Sequence, residues 1–271
     1  MTVNEIIAAS APYLERRGVS DARLAVEHLV ARLLKCKRLE LPLRQDEALA
    51  ENQINAMRRG VAKLATGEPV QYVLGRWDFR GITLKIDRRA LIPRPETEQL
   101  VQLLFDSGAL SIADEAPNAK IAAIDTSADA LALARENADA LGLADKITFL
   151  NTSEFDLGDV FDAQSFEVVI SNPPYISSAA CDRLSPSVRD FEPRAALDGG
   201  PDGMALLRSV IEDASTLLVS GGMIFLELGA EEKQIAPISH FLESAGFEEI
   251  RASRDLRNAE RFLSARLALG L

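Results

Sequence analysis

The spacing of apolar residues divides this chain into two textures. Residues 1 to about 70 carry helical periodicity only. Thr2 and Glu5 form a capping-box pattern ahead of Ile6-Ile7. Leu24, Val26, Leu29, Val30, Leu33 and Leu34 recur at helical intervals after Asp21, which is placed to cap that helix. A further helix is predicted from about Asp46 to Ala65, ended by Gly67-Glu68-Pro69. A small helical bundle is the expected product.

From Tyr72 the pattern changes. Tyr72-Val73-Leu74 and Ile82-Thr83-Leu84-Lys85-Ile86 read as the two arms of a hairpin joined through Gly75 to Gly81. Beyond it, apolar runs and helical patterns alternate. A helix follows Pro95, and the strand Ile121-Ala122-Ala123-Ile124 ends at Asp125. A helix from Ser127 to about Leu141 precedes the strand Ile147-Thr148-Phe149-Leu150. The run Phe166 to Ser171 reads as a buried strand with a polar last residue. A loop rich in Pro, Gly and Ser leads to a helix from roughly Gly203 to Leu218 and a strand from Met223 to Leu228. One more helix and a strand pair, near Phe247–Ala252 and Arg261–Leu267, close the chain. Such alternation specifies a mostly parallel sheet with helices on both faces.

Composition narrows the function. With 271 residues and 47% hydrophobic content, the chain has room for one large domain or a small and a medium one. No run approaches the ~18 apolar residues of a membrane span, and Met1-Thr2-Val3-Asn4-Glu5 lacks the basic start of a signal peptide. A cytoplasmic protein is expected. Cys36 and Cys181 stand far apart without metal-ligand spacing, and two histidines, His28 and His240, argue against a zinc site or a Ser-His-Asp hydrolase. His28 lies within a helical apolar pattern, which favours packing. The net charge of −11 opposes a nucleic-acid substrate, since a duplex reader carries a basic stripe. The short clusters Lys35-Cys36-Lys37-Arg38 and Arg58-Arg59 read as solvated helix ends or a protein-docking surface.

Two places carry candidate chemistry. Asn172-Pro173-Pro174-Tyr175 follows a strand, where ligands of open α/β sheets sit. The Asn172 carboxamide oxygen and a proline carbonyl are acceptors for a planar NH2 group, two prolines stiffen the loop, and Tyr175 offers an aromatic face. A plain strand followed by a proline turn is the alternative. Asp125 ends a strand ahead of a helix, the position from which a carboxylate accepts ribose hydroxyls; a helix cap with Ser127 is compatible with that role.

Further segments extend the pattern: Gly67-Glu68-Pro69-Val70-Gln71-Tyr72, Phe79-Arg80-Gly81, Leu91-Ile92-Pro93-Arg94-Pro95-Glu96-Thr97-Glu98, Glu192-Pro193-Arg194, and Leu197-Asp198-Gly199-Gly200-Pro201-Asp202-Gly203. Together with the Asn172 loop, they resemble the bacterial release factor glutamine methyltransferase family over nearly the whole chain. The resemblance implies an α/β fold, with a Rossmann-like S-adenosylmethionine-dependent domain at 91–271, a helical substrate-protein docking domain at 1–70 and a linking hairpin at 71–90. It implies peptide chain release factors as partners, with the glutamine of their Gly-Gly-Gln motif as substrate, no membrane and a monomeric enzyme. Asn172, Pro173 and Tyr175 would be catalytic and, with Pro174, hold the substrate. Phe79 and Glu96 are pocket-lining candidates by resemblance, against the readings of a core aromatic and a helix-start acid. Asp125, Asn172, Gly108 and Glu154 would meet the cofactor, although the family's Asp near the adenine corresponds here to Ser153 with Glu154 beside it. A binding protein of the same family without cofactor, or an adenine-N6 nucleic-acid methyltransferase, are the other readings.

One part of the pattern is absent. A Rossmann-like methyltransferase carries a first strand and a glycine-rich turn, whose backbone approaches the methionine part of the cofactor. Here only Leu103 to Ala113 stands between the Pro95 helix and the approach to Asp125, and only Gly108 remains of the turn. Either a segment has been left out and its flanks joined, or the protein truly lacks its central strand. The first predicts a Cα separation well above ~3.8 Å somewhere between Leu103 and Ile112. The second predicts unpaired sheet edges and a thinner core.

Overall fold

The computed structural model describes residues 1–109, 119–152, 157–230 and 232–270. The segment that would show whether the chain is joined between Leu103 and Ile112 therefore falls partly outside the described residues. The chain divides into two compact units. One comprises Met1–Trp77, Lys85–Arg88 and Ser185–Glu192; the other comprises Asp78–Leu84, Arg89–Leu184 and Pro193–Leu271.

The first unit is helical: α1 (Val3–Glu15), α2 (Ala22–Leu34), a 3-10 turn over Arg38–Arg44, α3 (Glu51–Leu64) and α4 (Val70–Leu74). Thr2 and Glu5 close the capping box at the start of α1, as their spacing predicts. Val3, Ile6, Leu14, Val26, Val30, Met57 and Leu64 form the core. Gly60 brings α3 against α2, because a Cβ there would stand 2.9 Å from the Leu29 Cδ1 atom. His28 packs its ring 5.2 Å from that of Trp77.

Three local expectations are corrected. Asp21 occupies the position before α2 in a left-handed conformation (φ 51°), and its side chain makes no cap bond. The third helix begins at Glu51 because the residues before it bond to the N-terminus: Val3 N–H donates to Glu47 O, Asn4 N–H to Gln45 O and Leu49 N–H to Met1 O. Tyr72-Val73-Leu74 is helical, ended by Gly75 at φ 67°. The hairpin is β1 (Arg76–Phe79) with β2 (Ile82–Lys85), turning through Arg80 and Gly81, both at positive φ as a two-residue hairpin loop requires.

The second unit continues with α5 (Pro95–Asp106), β3 (Ile121–Asp125), α6 (Ala128–Leu141), β4 (Ile147–Asn151), α7 (Leu157–Val160), β5 (Phe166–Ser171) and α8 (Ser178–Cys181). After α9 (Pro186–Arg189), which belongs to the helical unit, come α10 (Ala205–Leu217), β6 (Leu218–Glu227), α11 (Ile235–Ser244), β7 (Phe247–Arg254) and β8 (Glu260–Leu267). Ser127 caps α6 by accepting from Ala130 N–H. Strand side chains alternate in period two. Ile224 and Leu226 of β6, with Leu263 and Ala265 of β8, pack on Leu207, Ile211, Ile238 and Leu242 of α10 and α11. Phe225 and Phe262 face the other way, against Leu100 and Leu104 of α5. This packing brings the first turn of α5 to the carboxyl end of β6.

The strands fall into separate blocks. β3 pairs with β4 in parallel, from Ile121↔Ile147 to Asp125↔Asn151. The larger block has the order β5-β6-β8-β7, parallel between β5 and β6 and antiparallel beyond. In a doubly wound sheet the strand preceding β3 lies between β3 and β5, and that is the strand the sequence lacks. Among the described residues, β3 and β5 each pair along one edge only. Ile124 is 41% exposed and Ile170 40%, so β5 is half-covered rather than buried as its apolar run predicts. Substitution should register this difference. Ile124→Thr is expected to change unfolding free energy by less than ~1 kcal/mol, and Leu226→Ala to cost about 2–5 kcal/mol in urea denaturation.

Candidate active site

The Asn172 loop leaves the carboxyl end of β5 beside the carboxyl end of β6, its parallel neighbour. Glu227, the last residue of β6, is 1% exposed. Its carboxylate accepts twice: Oε2 from the Thr97 hydroxyl at 2.8 Å and Oε1 from the Tyr175 hydroxyl at 3.3 Å. Thr97 Oγ1 in turn accepts from Asn172 Nδ2 at 3.1 Å. Thr97 lies in the first turn of α5, so three elements meet on one side-chain network.

Burial pushes the Glu227 carboxyl up, while the Thr97 bond, the Arg261 charge and the Tyr175 bond pull it down. Burial, and then the Glu227 charge, push the Tyr175 phenol up to about 12. Tyr175 is therefore a neutral donor at physiological pH and not a base. The Arg261 guanidinium is held by Asp255, 2.9 Å away, whose carboxyl is kept low by that bond and by the Ala259 N–H.

A second loop clamps the first. Ile176 N–H donates to Leu197 O, Gly199 N–H to Ile176 O, and Ser178 N–H to Gly200 O. Asp198 accepts from the Ser178 hydroxyl at 2.6 Å, Gly200 N–H at 3.0 Å and Arg194 Nε at 3.1 Å. A Cβ on Gly199 would meet Pro174 O at 2.5 Å, and one on Gly203, at φ 71°, would collide with Tyr175 O. These glycines are where they are because backbone lies against backbone. Gln234, 1% exposed, ties the carbonyls of Tyr175 and Gly203 and the N–H of Gly229.

Of the residues expected at the site, Asn172, Pro173, Pro174 and Tyr175 stand together on the loop. Glu96 is half-buried in the first turn of α5, near enough for its charge to raise the Glu227 carboxyl. Phe79 is half-buried at the end of β1, and the next residue, Arg80, docks on α5 through its N–H to Glu98 and its guanidinium to Gln102. Asp125 is exposed at the end of β3, and one carboxylate oxygen accepts Ser127 N–H at 2.8 Å. Gly108 follows α5 at φ 71°, with no described atom within 4 Å of where a side chain would begin. Ser153 and Glu154 lie outside the described residues. Thr97 and Glu227 escaped the sequence reading. An acid set inside the apolar run Met223–Leu228 was the available signal, since a carboxylate buried in a sheet needs partners.

The donors and acceptors present fit part of S-adenosylmethionine. Among the described residues no partner engages the second carboxylate oxygen of Asp125, which stands at a strand end, the chemistry that a ribose hydroxyl takes. The glycine turn for the methionine end has no counterpart among the described residues.

Residues 105–253 match the methyltransferase domain family, and residues 5–75 match the PrmC N-terminal domain. The catalytic domain of hMettl16, solved with a MAT2A 3'UTR hairpin, shares the fold at a TM-score of 0.53 and 15% identity over 78% of this chain and 82% of that one. The chain is thus a Rossmann-like methyltransferase, of a class that uses S-adenosylmethionine. More narrowly, it belongs to the release factor glutamine methyltransferase family. It is 34% identical to the Rhodopirellula baltica member over 98% of this chain and 97% of that one. It is 32% identical to the Geobacter sulfurreducens member over 98% and 97%, and 30% identical to the human MTRF1L release factor glutamine methyltransferase over 97% and 86%. The alignment with the Rhodopirellula protein runs over 291 positions, more than the 271 residues of this chain, so that relative carries residues here absent within the matched span.

Two outcomes follow from the clamp. Gln234→Ala leaves three backbone groups without their partner and should cost about 2–4 kcal/mol in chemical denaturation. Because the fold holds the Tyr175 proton more tightly than the unfolded chain does, stability is fully present below pH ~10 and falls as pH rises toward ~12. Tyr175→Phe should flatten that alkaline slope in a pH series of melting temperatures.

Proposed function

We propose that this chain transfers a methyl group from S-adenosylmethionine to the side-chain amide nitrogen of the glutamine in the Gly-Gly-Gln motif of peptide chain release factors. The observation that carries this reading is the pair of acceptors on the Asn172 loop. No donor among the described residues reaches Asn172 Oδ1 or the Pro173 carbonyl, while the rest of the loop is tied down on both sides. Membership of the release factor glutamine methyltransferase family supports the substrate.

A primary amide nitrogen is a poor nucleophile because its lone pair is delocalised into the carbonyl. Asn172 Oδ1 and Pro173 O would accept its two N–H bonds, hold the amide plane and leave the remaining electron density facing the methyl group. Tyr175 would pack its ring on that plane. Bound S-adenosylmethionine supplies an electrophilic methyl group, whose S–C bond breaks as the N–C bond forms. The alkylated nitrogen then sheds a proton to water, so no strong base is required of the protein. Asp125 would accept the ribose hydroxyls, Glu154 would lie by the adenine, and Phe79 and Glu96 would line the amide pocket.

In this reading residues 1–70 dock the release factor, 71–90 link, and 91–271 carry the chemistry; the family match over residues 5–75 supports the first part. The enzyme acts as a monomer in the cytoplasm, on protein and not on nucleic acid, in keeping with its charge of −11. Among the described residues no helix is long and apolar enough to cross a membrane.

Incubating the chain with S-adenosylmethionine and a purified release factor should add one methyl group at the Gly-Gly-Gln glutamine by mass spectrometry. Asn172→Ala should slow that step about a hundredfold. Methylation at another residue, or equal rates with a Gly-Gly-Ala release factor, would refute the assignment.

A further inference from the structure

Glu227 is out of place as a mere structural residue. A buried carboxylate at a strand end is costly, and an apolar side chain would fill the same space more cheaply. Arg261 acts on it through its charge, while the guanidinium bonds elsewhere: Nε to Asp255 at 2.9 Å and Nη1 to Leu228 O at 3.5 Å. Among the described residues, the hydroxyls of Thr97 and Tyr175 donate to Glu227.

We infer that Glu227 and Thr97 are positioning residues: the buried carboxylate dictates, through the Thr97 hydroxyl, which edge of the Asn172 carboxamide meets the substrate. The inference rests on the function proposed above and adds to it the residues that aim the clamp.

Hydrogen-bond polarity fixes the orientation. Both Glu227 oxygens accept, Oε1 from the Tyr175 hydroxyl and Oε2 from the Thr97 hydroxyl, so Thr97 spends its single hydrogen on Oε2. Thr97 Oγ1 then has only lone pairs to offer. The Asn172 atom 3.1 Å from it must therefore be the NH2 nitrogen. The carboxamide oxygen is thereby turned away from Thr97, and no donor among the described residues reaches it. A carboxamide has an accepting edge and a donating edge of nearly equal shape, and packing alone does not choose between them. The wrong choice would set the Asn172 NH2 against the NH2 of a glutamine, donor against donor. Glu227 removes that choice. Its other oxygen fixes the Tyr175 hydroxyl in the same sense, as a donor directed into the protein.

The test uses binding and needs no turnover. The probes are a release factor carrying Gly-Gly-Gln and its Gly-Gly-Ala counterpart, titrated by calorimetry into the full chain and into Thr97→Val and Thr97→Ser. Val keeps the shape of Thr but offers Asn172 no acceptor; Ser keeps the hydroxyl. The wild-type chain should favour the Gln form by on the order of a hundredfold, as two hydrogen bonds supply. Thr97→Val should cut that preference about tenfold and leave affinity for the Ala form unchanged, and Thr97→Ser should restore it. A Thr97→Val chain with an undiminished preference, or one weakened equally toward both probes, overturns the positioning role. A wild-type chain that does not distinguish Gln from Ala instead overturns the clamp itself.

Discussion

The carboxylate of Glu227 is the constraint around which this site is organised. Buried charge must be surrounded by donors, and donors brought to a fixed point also fix the elements that carry them. Thr97 ties down the start of α5 and Tyr175 the far side of the proline loop, so that three segments remote in sequence share one anchor. The apolar packing of α5 on Phe225 and Phe262 brings the helix close, and the hydrogen bonds set its final register.

The second constraint is proximity of backbone to backbone. Gly199 and Gly203 lie against the carbonyls of Pro174 and Tyr175, and Gln234 bridges what remains. A loop held in this way can present acceptors without reorganising as substrate arrives, which is what a reaction governed by positioning requires. The segments Leu197–Gly203 and Asn172–Tyr175 are thus one device, although about two dozen residues separate them.

The cofactor half is built on a thinner frame. The strand pair β3-β4, bearing Asp125, and the larger block, bearing Asn172, meet through no described strand pairing, and Ile124 of β3 and Ile170 of β5 are both exposed. The relatives, longer within the matched span, carry residues that this chain does not. The Asn172 loop is supported by β5 with its neighbour β6 and by a buried network, whereas Asp125 rests on β3, β4 and α6.

Much of this was legible in the sequence. Helix periods, the Thr2–Glu5 box, the strand ends at Asp125 and Ser171 and the absent glycine turn follow from local pattern, because caps and alternation are properties of neighbouring residues. The Asn172 loop stood out by its place after an apolar strand, and the resemblance supplied its substrate. Local pattern failed where distant backbone intervened: residues 45–49 are drawn out by bonds to the N-terminus, and Tyr72–Leu74 closes a helical turn before Gly75. Only the tertiary structure joined Thr97 to Glu227 across 130 positions and so showed which way Asn172 points. The sequence determined which groups could hold an amide; their orientation was decided by a hydrogen-bond polarity that exists only once the strand end, the helix start and the loop are brought together and water is excluded from between them.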